Sequence, residues 1–183
     1  MQQLNKIFVS KKAFESSDIF RLIESNISVV NVLREESIDI ESIHPDAMSS
    51  FYVDFYLAQY NNGNFSQFVW NTQWSPELNV EISNSLKKIG AEKHLQLFIQ
   101  QCEKVDNLSD SELEKYINSE YFGPNLIRDA LNNDAFYDLN KTENLILLNG
   151  QWLRNHPDLL VLEIDQMFDE IEKFLGRKIQ REY

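Results

Sequence analysis

The chain has 183 residues, 43% hydrophobic and 12% aromatic, with 17 basic against 29 acidic side chains and a formal net charge of −12. That length and apolar content suffice for one packed domain and argue against a disordered chain. The charge repels nucleic-acid backbones and anionic membranes, and the lone Cys102 excludes an internal disulfide or a cysteine zinc cluster, which fits a reducing, cytoplasmic setting.

The opening MQQLNKIFVSKKAF has too short an apolar run for a secretory signal, though a small strand over Lys6 to Val9 fits it. From Ser17 to about Glu36, Ile19, Phe20, Ile23, Ile27, Val30 and Leu33 recur at helical spacing, with Ser17 as the expected N-cap. After Pro45 an apolar helix carries Met48, Phe51, Tyr52, Phe55 and Leu57. It should end near Asn62-Gly63, with Gly63 left-handed and Asn64 capping a short helix over Phe65 to Asn71.

Ser75-Pro76-Glu77 reads as cap, first-turn proline and an acid on the positive end of the helix dipole, and Gly90 ends that helix. Leu95 to Val105 gives another helix, and Ser109 with Glu112 has capping-box spacing before Leu113 and Tyr116. Gly123-Pro124 breaks the chain before helices over Leu126 to Leu131 and Leu145 to Leu153. A last helix opened by Pro157 carries Leu160, Ile164, Met167, Phe168 and Ile171 and closes at Gly176. The expectation for 1–183 is a single all-α domain, an irregular bundle of roughly eight to nine helices.

Catalytic signatures are absent: there is no G-x-S-x-G, P-loop, G-x-G-x-x-G, C-x-x-C or H-E-x-x-H pattern. His44, His94 and His156 have no metal-ligand spacing among them, so no metal and no cofactor is expected, and Cys102 on an apolar stripe reads as a packing residue.

Residues 61–74, NNGNFSQFVWNTQW, are uncharged and rich in carboxamides and aromatics. Carboxamides there can satisfy a loop's backbone groups without bringing charge into a core. The stretch resembles the N-G-G-F-x-Q-[YF]-[FV]-x-N signature of a bacterial family of uncharacterised domains whose best-known acidic members are DNA mimics. The aromatic helix Phe51 to Tyr60, the step Leu86-Lys87-Lys88-Ile89-Gly90-Ala91 and Phe136-Tyr137 extend the resemblance over about 45–140. It places Asn62, Gly63, Phe65, Gln67, Phe68 and Asn71 in the shared motif, as fold determinants, with Asn64 standing where the family has a second glycine.

Acidity is uneven, since residues 101–143 carry ten acids against four bases and supply half of the net charge. Asp110 with Glu114, and Asp134 with Asp138, are i, i+4 pairs, and Asp165, Asp169 and Glu172 line one face of the last helix. Ordered carboxylate rows can occupy a surface built for phosphates. These seven residues are therefore the expected partner-binding surface, and the expected activity is non-enzymatic sequestration of a basic DNA-binding protein, a transcription regulator or nuclease. No direct nucleic-acid or membrane contact is expected, and a homodimer stays open. Two rivals stand beside this reading. One is an immunity-type protein that neutralises a basic toxin; the other is an enzyme with a pocket of Gln67, Trp70, Asn71 and Trp74 and Asp54 as base.

Overall fold

The computed structural model describes residues 3–181, and they form two compact units. Residues 52–148 make one, inserted into the chain of the other, which comprises residues up to 51 and from 149 onward.

The outer unit is built on a two-stranded parallel sheet. Strand β1 (Ile7–Ser10) pairs with β2 (Leu159–Leu162) in the register Ile7 to Leu159 and Ser10 to Leu162. Parallel strands need a long crossover, and here the whole inserted unit lies between them in sequence. Helices α1 (Lys11–Phe14), α2 (Phe20–Glu35) and α10 (Ile164–Leu175) pack against β1, whose four residues are all buried. A 3-10 turn (Ile40–Ser42) leads into α3 (Pro45–Thr72), and α9 (Leu145–Arg154) returns the chain toward β2.

Two expectations change in this unit. The last helix starts at Ile164 rather than Pro157, because Leu159 to Leu162 pair with β1 as a strand. Ser17 is not the cap of α2; the Asp18 carboxylate accepts from Phe20 N at 3.1 Å. Gly176 does close α10 in the left-handed region (φ 68°).

His-Pro-Asp occurs twice, at 44–46 and 156–158, and the two copies clasp each other. Each imidazole Nδ1 accepts the backbone N–H of its own aspartate at 3.1 Å. Each Nε2 faces the other copy's carboxylate, His156 to Asp46 at 3.1 Å and His44 to Asp158 at 3.7 Å. Because Nδ1 is an acceptor, the proton of each neutral ring sits on Nε2. Asp158 also holds Lys6 at 2.8 Å, and its carbonyl accepts from Ile7 N, so the clasp sits at the start of the sheet. Burial lowers the His44 pKa.

The inserted unit is helical throughout: the rest of α3, then α4 (Pro76–Lys88), α5 (Glu92–Asp106), α6 (Asp110–Ile117), α7 (Leu126–Leu131) and α8 (Ala135–Thr142). Its core is an aromatic cluster of Tyr56, Tyr60, Phe65, Phe68, Phe98 and Phe136, all fully buried. Tyr60 stacks on Phe136 at 3.8 Å between ring centroids, and Tyr56 meets Phe98 edge-on at 5.2 Å. Such pairs add about 0.5–1.5 kcal/mol each beyond their area burial. Ser75 caps α4, and Ser109 and Glu112 form the expected capping box on α6. Among the described residues the protein is all-α apart from its small sheet, with nine helices longer than a single four-residue turn.

Candidate functional site

The uncharged stretch 61–74 forms a kink in α3. Asn64, not Gly63, takes the left-handed conformation (φ 69°), while Gly63 is extended (φ −174°). Gly63 is instead required by close approach: a Cβ there would lie 2.1 Å from Gln67 Oε1 and 2.6 Å from the Tyr121 hydroxyl. Asn64 is buried, and its Oδ1 accepts from Phe65 N (2.7 Å) and Asn133 N (2.9 Å) while its Nδ2 donates to Asp134 Oδ1 (3.0 Å). The other motif carboxamides are less buried than their helical positions imply. Asn62 and Asn71 are exposed and Gln67 half-buried, with Asn71 donating to Gln59 at 2.6 Å.

This kink is the anchor for the segment that follows α5. Tyr116 donates its hydroxyl to Ser66 O (2.8 Å), Tyr121 to Gly63 O (2.7 Å) and Tyr137 to Tyr60 O (2.8 Å). Trp70 Nε1 donates to Ser119 O at 3.0 Å. The motif aromatics Phe65 and Phe68 fill the core beneath. Sequence and structure thus meet at one point: the family-like motif holds the most acidic part of the chain in place.

On that part, Asp110 and Glu114 stand exposed on α6 and make no ion pair among the described residues. Asp134 is exposed at the start of α8, held by Asn64; Asp138 is exposed and pairs with Lys141 at 2.6 Å, which lowers its pKa. Glu103, Asp106, Glu120 and Asp129, also exposed, add to this surface; nothing in their spacing singled them out in the sequence. Of these, Asp129 alone has an ion pair among the described residues, with Arg128 at 2.8 Å. Helices α5 and α6 both pack on α7, and α5 packs on α8, so the acid-bearing helices adjoin.

The row on α10, expected on the same partner surface, is arranged differently. Arg181 reaches Asp165 at 3.7 Å, Asp169 at 2.6 Å and Glu172 at 2.8 Å, and Lys178 adds a 2.6 Å pair to Glu172. Glu172 is only 6% exposed, and Arg181 and then Lys178 push its pKa down to about 2. Two bases that follow in the sequence offset most of the charge that the spacing of these three acids shows as free.

Of the residues of the enzyme alternative, Trp70 and Asn71 make structural hydrogen bonds and Trp74 packs on Phe65. The cavity that Trp74 lines, about 380 Å³, is walled by Pro76, Val80, Ile99, Cys102 and Glu103 and not by Gln67, Asn71 or Asp54. Burial pushes the Cys102 thiol up to about 12, and buried His94 contacts the Glu143 carbonyl through Nε2 at 2.9 Å. Among the described residues no three His, Cys, Asp or Glu side chains gather as metal ligands would, and no helix is long and apolar enough to cross a membrane.

A model of the DMP19-like protein family matches residues 41–156, more than half of the chain. No curated protein and no solved structure matches the chain. The matched span contains the kinked α3, the whole inserted unit, the first His-Pro-Asp copy and only His156 of the second, and leaves α10 outside.

Proposed function

The chain belongs to the DMP19-like protein family, and from that premise we propose that it is a cytoplasmic acidic binding protein that imitates the charge of DNA. It occupies the nucleic-acid surface of a basic DNA-binding protein, such as a transcription regulator, and acts by binding rather than by catalysis. One observation carries this reading: residues 101–143 hold ten acids against four bases, most of those acids are exposed, and Asp129 and Asp138 alone among them are ion-paired within the described residues.

Like charges at i, i+4 cost a helix a few tenths of a kcal/mol. Asp110 and Glu114 on an eight-residue helix bear that cost, and although Lys115 lies on the same helix neither acid is ion-paired with it among the described residues. A partner built for phosphates would relieve it and release its own bound anions. The working surface is Asp110, Glu114, Asp134 and Asp138 with the flanking Glu120 and Asp129.

The test is affinity capture of the partner at low and high salt, followed by competition with duplex DNA. A basic protein that elutes as salt rises and is displaced by DNA supports the reading. Association indifferent to salt, or a partner that holds DNA and this protein together, contradicts it. A captured basic toxin whose activity returns on release would assign the protein to immunity instead.

A further inference from the structure

The segment joining α6 to α7 presents two apolar side chains that the protein's own core does not use. Phe122 is 87% and Leu126 88% exposed, well beyond the other large hydrophobic residues at the surface, which reach 57%. A single exposed apolar residue needs no explanation. Here the backbone that carries the pair is fixed by three side chains, Tyr121, Arg128 and Asn125.

Tyr121, next to Phe122, is tied by its hydroxyl to Gly63 O and sits 5.6 Å from the Trp70 ring. Arg128 donates to the carbonyls of Tyr121 (3.1 Å) and Gly123 (2.8 Å), which lie on either side of Phe122. Asn125 caps α7 through Arg128 N at 3.0 Å, immediately before Leu126. The loop is therefore ordered before any partner arrives, so a contact through Phe122 and Leu126 loses little entropy on binding.

Acids outnumber bases around the pair, the bases being Lys115 on α6 and Arg128. Glu120 and Asp129 flank it in sequence, α6 with Asp110 and Glu114 packs on α7, and the segment's basic residue, Arg128, is occupied by Asp129 and the loop carbonyls. A second copy of this chain or an anionic membrane would bring more negative charge to the same place. A basic protein surface would not.

We propose that Phe122 and Leu126 are the apolar anchors of the partner interface, entering a hydrophobic socket on a basic protein while Glu120 and Asp129 meet lysines or arginines at its rim. The inference rests on the charge-mimic reading and adds to it. DNA offers its binding proteins no such apolar pair, so this contact would let the mimic hold a DNA-binding protein by a component that salt does not screen.

The probe is a random peptide library displayed on phage and selected against the intact protein, with the winners synthesised and titrated. The expected winners combine Lys or Arg with Leu, Ile, Phe or Trp. They should bind F122S/L126S about tenfold more weakly, equivalent to about 1.4 kcal/mol, with an unchanged slope of log affinity against log salt. D165N/D169N should bind them as the unmodified protein does. Basic winners without apolar residues, indifferent to F122S/L126S, would overturn the anchors while leaving charge mimicry intact. Winners without basic residues would overturn both. A dimer of the unmodified protein that F122S/L126S converts to monomer would make the pair a self-interface and overturn the proposal.

Discussion

The two acidic regions of this protein look alike in sequence and differ in what their charge can do. On α10, three carboxylates converge on Arg181, and the most buried of them, Glu172, is held by Lys178 as well. Over 101–143, Asp110, Glu114 and Glu120 face solvent with no ion pair among the described residues, on helices held by the kinked motif. Acid spacing on a helix says which side chains share a face. Whether that face is available depends on bases that spacing cannot locate.

The largest expected effect separates the regions by function. Converting Asp110, Glu114, Asp134 and Asp138 to amides should weaken partner binding by at least about 100-fold, as loss of several complementary charges does, with no loss of melting temperature. Asn at position 134 keeps an acceptor for Asn64 Nδ2, so the kink is preserved. Comparable affinity for this variant would break the comparison.

Next in size is the kink itself. Asn64→Ala removes three hydrogen bonds from a buried site and leaves a non-glycine residue at φ 69°, for an expected loss of about 2–4 kcal/mol in denaturant unfolding. Asn64→Gly should lose less because the backbone strain is gone. Equal losses would show that the side-chain bonds outweigh the conformation.

Arg181→Gln should lower the melting temperature by a few degrees, since Glu172 loses its closest charge partner after Lys178, and should leave partner binding unchanged. A fall in affinity instead would return α10 to the working surface.

The smallest effects are on pH dependence. With its pKa lowered to about 2, Glu172 contributes stability that is complete above its unfolded value of about 4.3 and is lost as pH falls toward 2. His44 works in a separate window. Its folded pKa is below its unfolded value of about 6.5, so the unfolded chain binds protons first and stability falls as pH drops below that value. His44→Asn keeps an acceptor for Asp46 N, in the manner of an Asx turn, without a titrating ring. The opening free energy at Ile7 to Ser10, from hydrogen exchange corrected for the intrinsic base-catalysed rate, should then lose its dependence on pH in the higher window; an unchanged dependence would place the titrating group elsewhere.

Local chemistry made much of this fold legible. Ser75-Pro76-Glu77, the Ser109–Glu112 box and Gly176 act within one helical turn, and each lies where its sequence signal places it. Strand β2 was not legible, because four residues, LLVL, continue a helical apolar pattern and their partner β1 is about 150 residues away in sequence. At the kink, the requirement on Gly63 comes from Gln67 and Tyr121 rather than from its own backbone angles, so a turn rule assigned the left-handed residue one position early. The paired His-Pro-Asp copies were a readable signal, a repeated tripeptide, but their reciprocal contact depends on the fold. Of the candidate surface, the acids on α6 and α8 were visible as charge density. The exposure of Phe122 and Leu126 was not, since an isolated Phe or Leu in sequence is more often core.

The central claim is tested most directly by the salt dependence of partner binding in two sets of amides. The slope of log affinity against log salt should flatten in the Asp110, Glu114, Asp134 and Asp138 variant and stay unchanged in the Asp165 and Asp169 variant. A slope that flattens with the α10 amides and persists with the others would contradict the account.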